Sequence, residues 1–148
     1  MENKYDSLLL KNQLCFPLYS ASNAITRRYK PLLKELDLTY TQYIVMMVLW
    51  EYQSINEKQL VESLYLKSST LAPLLRRLEE KNYIKIEKSE KDSRSIIISL
   101  TNEGNNLRDK ALCVPQAMAQ KLNLSKDEIM FLYDILYKII KGENENEC

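Results

Sequence analysis

The spacing of hydrophobic and polar residues changes from a helical to a strand period in the middle of the chain. Over 68–82, leucines recur at i, i+3, i+4 and i+7, which predicts a helix with one narrow buried stripe and polar outer faces. Residues 83–88 then alternate apolar and polar side chains, 89–94 are polar, and 95–100 are rich in β-branched residues. This order predicts a helix followed by a β-hairpin with a charged tip. The stripe consists of Leu71, Leu74, Leu75 and Leu78.

Two further helices are predicted before the leucine-striped helix. Thr39 or Thr41 caps a helix that runs to Tyr52, and its apolar run indicates burial on most sides. Asn56 caps a short helix over 57–64. A three-residue connection joins this short helix to the striped one, so the middle of the chain reads helix, turn, helix and hairpin. That is the order of a winged helix-turn-helix.

Longer helices are predicted towards both ends of the chain. Residues 9–36 form a helical stretch in which Pro17 and Pro31 are expected to kink or break the helix. A second stretch covers 102–121 and is expected to be interrupted or bent at Pro115.

The last predicted helix carries a seam of apolar residues. It begins at a capping box formed by Ser125 and Glu128 and ends near Lys141. Its apolar positions step by 3, 4 and 3 residues, which is the spacing of a contact with another helix. The seam fits either a partner subunit or packing within the same chain. It consists of Ile129, Leu132, Leu136 and Ile139.

Together these elements predict a mainly α-helical fold with a small β-hairpin wing, in a single domain over 1–148. Within it, 40–100 form the winged helix-turn-helix part. The formal net charge is only +1, from 21 basic and 20 acidic side chains. Residues 66–99 nevertheless carry a net +3, and the acidic tail 142–148 carries a net −3. The near-neutral total therefore conceals a basic middle third.

Composition excludes several kinds of active site and compartment. The chain has no histidine and only two glycines, which excludes imidazole catalysis, histidine-ligated metals and glycine-rich phosphate loops. Three cysteines without a CxxC spacing disfavour a disulfide framework and a zinc site. We expect no cofactor and no metal. No signal peptide is recognised, and the longest apolar run, 43–50, is too short to cross a bilayer, so a cytoplasmic protein without membrane contact is expected.

The polar outer face of the striped helix and the hairpin tip carry the side chains that DNA recognition needs. Hydroxyls and free N–H groups at a helix N-terminus suit a phosphate, and arginines pair with phosphate or with guanine. An arginine at the wing tip suits the narrow minor groove, and an aspartate two residues earlier suits orientation of its guanidinium. Double-stranded DNA is therefore the predicted partner. The candidate DNA-binding residues are Ser68, Ser69, Thr70, Pro73, Arg76, Arg77, Asp92 and Arg94.

At these motifs the chain resembles the MarR family of bacterial transcription regulators. Residues 64–79 are similar to the family's recognition helix, 91–94 match its D-x-R wing signature, and 99–104 match S-L-T-x-x-G. The resemblance implies a homodimer, held by helices in 1–36 and 102–141. Such a dimer binds a pseudo-palindromic operator and usually represses transcription. The chain departs from the family pattern at the start of the recognition helix, where Lys67, Ser69 and Ala72 replace the common Asp, Gly and Thr.

The N-terminal part resembles the organic hydroperoxide resistance regulators (OhrR) and their staphylococcal relatives. The similarity lies in 12–19, 29–33 and 38–43. The resemblance implies that Cys15 is a peroxide-reactive thiol and that Tyr29 and Tyr40 hydrogen-bond it across the dimer. Tyr19 of the same motif completes the candidate redox site.

The residue types in this motif fit thiol chemistry with peroxides. A thiolate attacks a peroxide and becomes a sulfenic acid, which a second thiol or a backbone nitrogen then traps. Because the chain has no histidine, tyrosine hydroxyls and backbone N–H groups are the available donors. The first expectation for the product is a mixed disulfide with a small thiol. An intersubunit disulfide comes second, with Cys113 as the candidate resolving thiol and Cys148 as a further cysteine.

Four other interpretations remain open at this point. Cys15 and Cys113 each fit the pattern of a small buried hydrophobic residue. A regulator released by a small apolar or phenolic ligand, with Cys15 inert, is the main alternative function. A peroxidase that turns over hydroperoxide and a winged helix used only for protein contacts are the others.

Overall fold

The computed structural model describes residues 3–144 and divides into two compact units, one up to Val114 and one from Pro115. The helices and strands are α1 (Cys15–Leu33), α2 (Tyr40–Tyr52), β1 (Ser54–Asn56), α3 (Glu57–Leu64), α4 (Ser68–Glu80), β2 (Ile84–Lys88), β3 (Ile96–Leu100), α5 (Asn102–Ala111), α6 (Cys113–Leu122) and α7 (Lys126–Asn144). Short 3-10 helices lie at Asp6–Leu8, Leu10–Asn12 and Lys34–Leu36. Among the described helices, none is long and apolar enough to cross a membrane.

Apolar side chains from α2, α3, α4 and the sheet form the core of the first unit. Helix α2 is the central element, because six of its 13 residues are buried. Thr39 is the predicted cap of this helix: it accepts a hydrogen bond from the N–H of Gln42, whose side chain accepts from the N–H of Thr39. The α3 helix begins as predicted at Asn56, whose side chain accepts from the N–H of Gln59.

The sheet has three antiparallel strands in the order β1-β3-β2. The two longer strands are the predicted hairpin, in register with Ile86 opposite Ile98. The third strand, β1, was not predicted, because it is only three residues long and gives too short a pattern to read. It places Ile55 opposite Ile98 and so buries the inner side of the hairpin.

Prolines begin two helices instead of kinking longer ones. The predicted helix over 9–36 starts only at Cys15, and Pro17 is its third residue, where the missing N–H has no helical partner. The helix predicted over 102–121 is divided at Leu112, and Pro115 is the third residue of α6. The ring of Pro115 is incompatible with the carbonyl group four residues earlier, which explains why α5 ends at Ala111. Pro31 lies inside α1, near its end.

In the second unit, the capping box predicted at Ser125 starts α7. The N–H of Ser125 donates to the Glu128 carboxylate at 2.8 Å, and the N–H of Glu128 donates to the Ser125 hydroxyl at 3.2 Å. Three of the four predicted seam residues of α7, all but Leu136, are exposed in the single chain. The predicted acidic tail overlaps the end of α7, and its residues 145–148, with Cys148, lie outside the described residues.

Candidate DNA-binding surface and thiol site

Helices α3 and α4 form the helix-turn-helix, and the turn between them is fixed by its backbone. Tyr65 ends α3 in a left-handed conformation, with φ 52°, and its N–H donates to the carbonyl oxygen of Val61. Leu66 donates to the same carbonyl at 3.3 Å. Lys67 precedes α4 in an extended conformation and provides no side-chain cap for it. The positive end of the α4 dipole is therefore available to an anion.

The recognition helix α4 buries one face and exposes the predicted DNA-binding residues on the others. Leu71, Leu75 and Leu78 are buried, and Leu74 is half-buried, as the stripe predicts. All six predicted side chains on this helix are exposed: Ser68, Ser69, Thr70, Pro73, Arg76 and Arg77.

At the wing tip, Asp92 shapes the backbone. Its carboxylate accepts the N–H of Arg94 at 3.0 Å, and its carbonyl accepts the N–H of Ser95 at 2.9 Å. The sequence-based expectation was that Asp92 orients the Arg94 guanidinium; its hydrogen bond goes to the backbone instead, because a residue two positions earlier in a turn reaches that N–H first. Both side chains are exposed.

The wing tip and the start of the recognition helix lie on the same surface. A groove of about 400 Å³ is lined by Ser68 of α4, by Asp92 and Arg94 of the wing, and by Glu57 and Glu62 of α3. The structure thus brings together the two parts that a winged helix places against DNA.

Cys15 is the first residue of α1 and is exposed. It is therefore not the buried hydrophobic residue of the alternative interpretation. No side chain caps this helix, so its first N–H groups are not occupied by a capping side chain. Tyr19 lies one turn later on the same side of α1 and is 68% exposed.

Tyr29 and Tyr40 form an aromatic cluster together with Tyr43. The ring centroids of Tyr29 and Tyr40 are 4.7 Å apart, and those of Tyr29 and Tyr43 are 5.9 Å apart. Burial raises the pKa of all three phenols above the ordinary value of 10.0, so that their hydroxyls remain donors at neutral pH. Tyr43 was not predicted as a site residue, although it lies three positions after Tyr40 on the same helix, which is the spacing of neighbours.

Within one chain, Cys15 and the tyrosine cluster are far apart. Fourteen residues of α1 separate Cys15 from Tyr29, a distance of about 21 Å along a helix that rises 1.5 Å per residue. A thiol at one end of α1 therefore meets the tyrosines only if they come from a second chain.

Cys113, the other described cysteine, interacts electrostatically with Tyr43 of the cluster. Its charge contributes, after burial and the two other tyrosines, to the raised pKa of Tyr43. The thiol is exposed and donates to the carbonyl oxygen of Lys110 at 3.5 Å, so Cys113 is not a buried residue either. No group of metal-ligating side chains occurs between residues 3 and 144.

Comparisons with known proteins agree with this architecture. The family model for the transcriptional regulator SarA/Rot matches residues 27–111. The organic hydroperoxide resistance transcriptional regulator of Bacillus subtilis is 42% identical over 141 residues, which cover 95% of this chain and 96% of that protein. The chain belongs to the MarR family of transcription regulators, in its OhrR-like group. This membership confirms the resemblance and the prediction of a regulator in place of an enzyme.

Solved MarR-type structures share the fold. Reduced AbfR bound to DNA is 34% identical with a TM-score of 0.75, over 90% of this chain and 94% of that one. The disulfide-formed AbfR is 32% identical with a TM-score of 0.63, over 97% of each chain. The winged-helix prediction is thereby confirmed.

Proposed function

We propose that this MarR-family regulator binds operator DNA as a homodimer in the cytoplasm, acts as a repressor, and releases DNA when an organic hydroperoxide oxidises Cys15. The observation that carries the proposal is the separation of the reactive thiol from its tyrosine donors by the length of α1. We infer that the exposed Cys15 of one chain and the partly buried tyrosine cluster of the other form one site when two chains associate.

The DNA-binding part of the proposal rests on the continuous surface formed by α4 and the wing. Arg76 and Arg77 on the helix and Arg94 on the wing provide cations for phosphates or guanine. Two such surfaces about 34–36 Å apart fit the half-sites of a palindromic operator. The reduced relative AbfR has been solved with DNA bound.

The dimer part rests on apolar residues that the single chain leaves exposed. They occur on α7, at Ile129, Leu132 and Ile139, and in the N-terminal segment, at Leu8, Leu10 and Leu14. Exposed apolar residues at the spacing of a helix seam are typical of a subunit interface.

The chemistry proceeds in two balanced steps. The Cys15 thiolate attacks the terminal peroxide oxygen, the O–O bond breaks, and a sulfenic acid forms. The alkoxide that leaves takes a proton from solvent and departs as the alcohol. A second thiol then displaces water from the sulfenic acid to give a disulfide. A small cellular thiol is the first choice for this partner. Cys113 is the second, because within one chain it interacts with Tyr43, a member of the tyrosine cluster that is proposed to receive the partner's thiol.

The thiol chemistry is tested by intact mass spectrometry after one equivalent of cumene hydroperoxide. We expect one added oxygen, or one disulfide when a small thiol is present, in the wild type and in Cys113→Ser. Cys15→Ser stays unmodified. A covalent dimer that is lost in Cys113→Ser assigns the second step to Cys113. Sustained peroxide consumption with excess thiol would instead indicate a peroxidase, and no modification of Cys15 would refute the proposal.

A cavity beside Tyr40 supports a second candidate function, release by a small phenolic acid with Cys15 inert. The cavity is about 610 Å³, and its apolar walls include Pro31 and Leu38. Three lysines and one aspartate line it, which leaves a net positive charge that suits an anionic aromatic ligand: Lys30, Lys34, Lys81 and Asp37. In this case sodium salicylate releases the operator equally well from the wild type and from Cys15→Ser.

A further inference from the structure

The connection between the recognition helix and the wing holds the loop that precedes the tyrosine site. The ammonium group of Lys81 lies 3.1 Å from the Asp37 carboxylate and also donates to the Asp37 carbonyl oxygen. The hydroxyl of Tyr83 donates to the carbonyl oxygen of Leu36 at 3.4 Å. Two side chains from one connection thus contact two successive residues of the loop between α1 and α2.

The same connection is fixed on its other side to the start of α5. The Thr101 hydroxyl donates to the carbonyl oxygen of Asn82 at 2.7 Å, and the N–H of Thr101 donates to that of Tyr83 at 3.1 Å. Residues 81–83 are therefore hydrogen-bonded both to the loop before α2 and to Thr101 before α5. Because of these contacts, a displacement of the loop is expected to move residues 81–83 with it.

The loop is directly continuous with the tyrosine cluster. Asp37 is in a left-handed conformation, with φ 51°, and two residues later Thr39 begins the capping box of α2. Tyr40 is the first residue of that helix. Only two residues, Leu38 and Thr39, therefore lie between Asp37, the acceptor of Lys81, and Tyr40. Thr39 is held to α2 by its capping box, and the N–H of Leu38 donates to the carbonyl oxygen of Leu33 at 3.3 Å.

We infer that the Lys81–Asp37 pair is the link through which the tyrosine site shifts the recognition helix. The inference rests on the proposed redox function and adds the route by which oxidation reaches DNA. Lys81 and Asp37 are positioning residues: they touch neither the thiol nor the base edges. A partly exposed ion pair contributes little to the free energy of unfolding. Its role here is to hold the loop and the connection in a fixed relative position.

The test compares operator affinity before and after oxidation in matched variants. Lys81→Met removes both contacts of the link. Asp37→Asn removes only the charge, because asparagine tolerates the left-handed backbone. Lys85→Met is the control, because it removes an ion pair that lies outside the proposed link. In that pair the Lys85 ammonium is 2.7 Å from the Glu87 carboxylate, and both residues belong to strand β2 of the wing.

The measured quantity is the ratio of the operator Kd after cumene hydroperoxide treatment to the Kd of the reduced protein, from fluorescence anisotropy. We expect the ratio to fall by about threefold or more in Lys81→Met and Asp37→Asn, and to stay at the wild-type value in Lys85→Met. The Kd ratio of the double variant Asp37→Asn/Lys81→Met is expected to equal that of Lys81→Met, because both substitutions break the same link. Thermal unfolding of each variant confirms that the fold is retained.

The outcomes separate this inference from the proposed function. A large wild-type ratio that Lys81→Met and Asp37→Asn retain within twofold would overturn the link alone. A wild-type ratio of one would overturn both the redox release and the link. If Lys81→Met does not fold, Asp37→Asn decides the question by itself.

Discussion

The substitution Gly104→Ala tests how closely α5 packs against the residues that flank the wing. Gly104 lies in α5 against the connection between α4 and β2, and a Cβ atom there would be 2.0 Å from the carbonyl oxygen of Tyr83. The helix backbone fixes the position of a Cβ atom, and the Tyr83 oxygen is itself a backbone atom, so neither can rotate away. The backbone carbonyl of Gly104 also accepts a buried hydrogen bond from the indole of Trp50 at 2.9 Å.

The expected cost of Gly104→Ala follows from these two contacts. Forcing an extra methyl group into a packed site costs about 1–3 kcal/mol. Moving α5 away to relieve the overlap stretches the bond from Trp50, and a buried N–H without an acceptor costs about 1–3 kcal/mol more. We therefore expect Gly104→Ala to lower the free energy of unfolding by about 2–6 kcal/mol, a large part of the ~5–15 kcal/mol of a typical domain.

The second glycine provides the matched control. Among the described residues, no atom beyond its chain neighbours and the backbone of its own helix lies within 4 Å of a Cβ added to Gly142 in α7. Gly142→Ala is therefore expected to stabilise the helix by about 0.5–1 kcal/mol. The assay is urea unfolding followed by circular dichroism, at one fixed protein concentration because a dimer's stability depends on it. If Gly104→Ala unfolds at the wild-type midpoint, the close approach of α5 to Tyr83 is wrong.

Three further predictions concern DNA, a helix cap and pH. Arg94→Ala is expected to weaken operator binding by roughly tenfold and to reduce its salt dependence, whereas Arg94→Lys keeps the salt dependence; an unchanged salt titration would argue for a protein-interaction module. Thr39→Ala should lower the free energy of unfolding by about 1 kcal/mol in urea titrations and Thr41→Ala by much less, because only Thr39 caps α2. Since burial raises the pKa of Tyr40 above 10.0, the native chain holds this proton more tightly than the unfolded one. Stability is then complete below about pH 10 and declines above it, and Tyr40→Phe makes this decline shallower in urea titrations at about pH 9 and pH 11.

The parts of the fold that follow local rules could be predicted from the sequence. The caps at Thr39, Asn56 and Ser125 and the leucine stripe of α4 act over three or four residues, so their patterns are visible in a single chain. Proline effects were harder. Pro17 and Pro115 were expected to disturb continuous helices, yet each occupies the first turn of a helix that starts just before it.

The candidate site required information that no local pattern contains. Strand β1 forms only because β3 lies beside it, and the aromatic cluster depends on the packing of α1 against α2. The route from Asp37 to Lys81 joins residues 44 positions apart, each of which looks like an ordinary surface charge in the sequence. The resemblance to OhrR proteins predicts Cys15, Tyr29 and Tyr40 as site residues, and the distance along α1 means that one chain alone does not bring this thiol to these tyrosines.

The measurement that tests the central claim most directly is an operator titration of the reduced and the peroxide-treated protein, with the mass of Cys15 determined in the same samples. The account predicts tight binding by the reduced dimer and weaker binding in proportion to the fraction of Cys15 oxidised. Cys15→Ser is expected to bind DNA with or without peroxide. Full oxidation of Cys15 with unchanged operator affinity, or peroxide-induced release of Cys15→Ser, would contradict it.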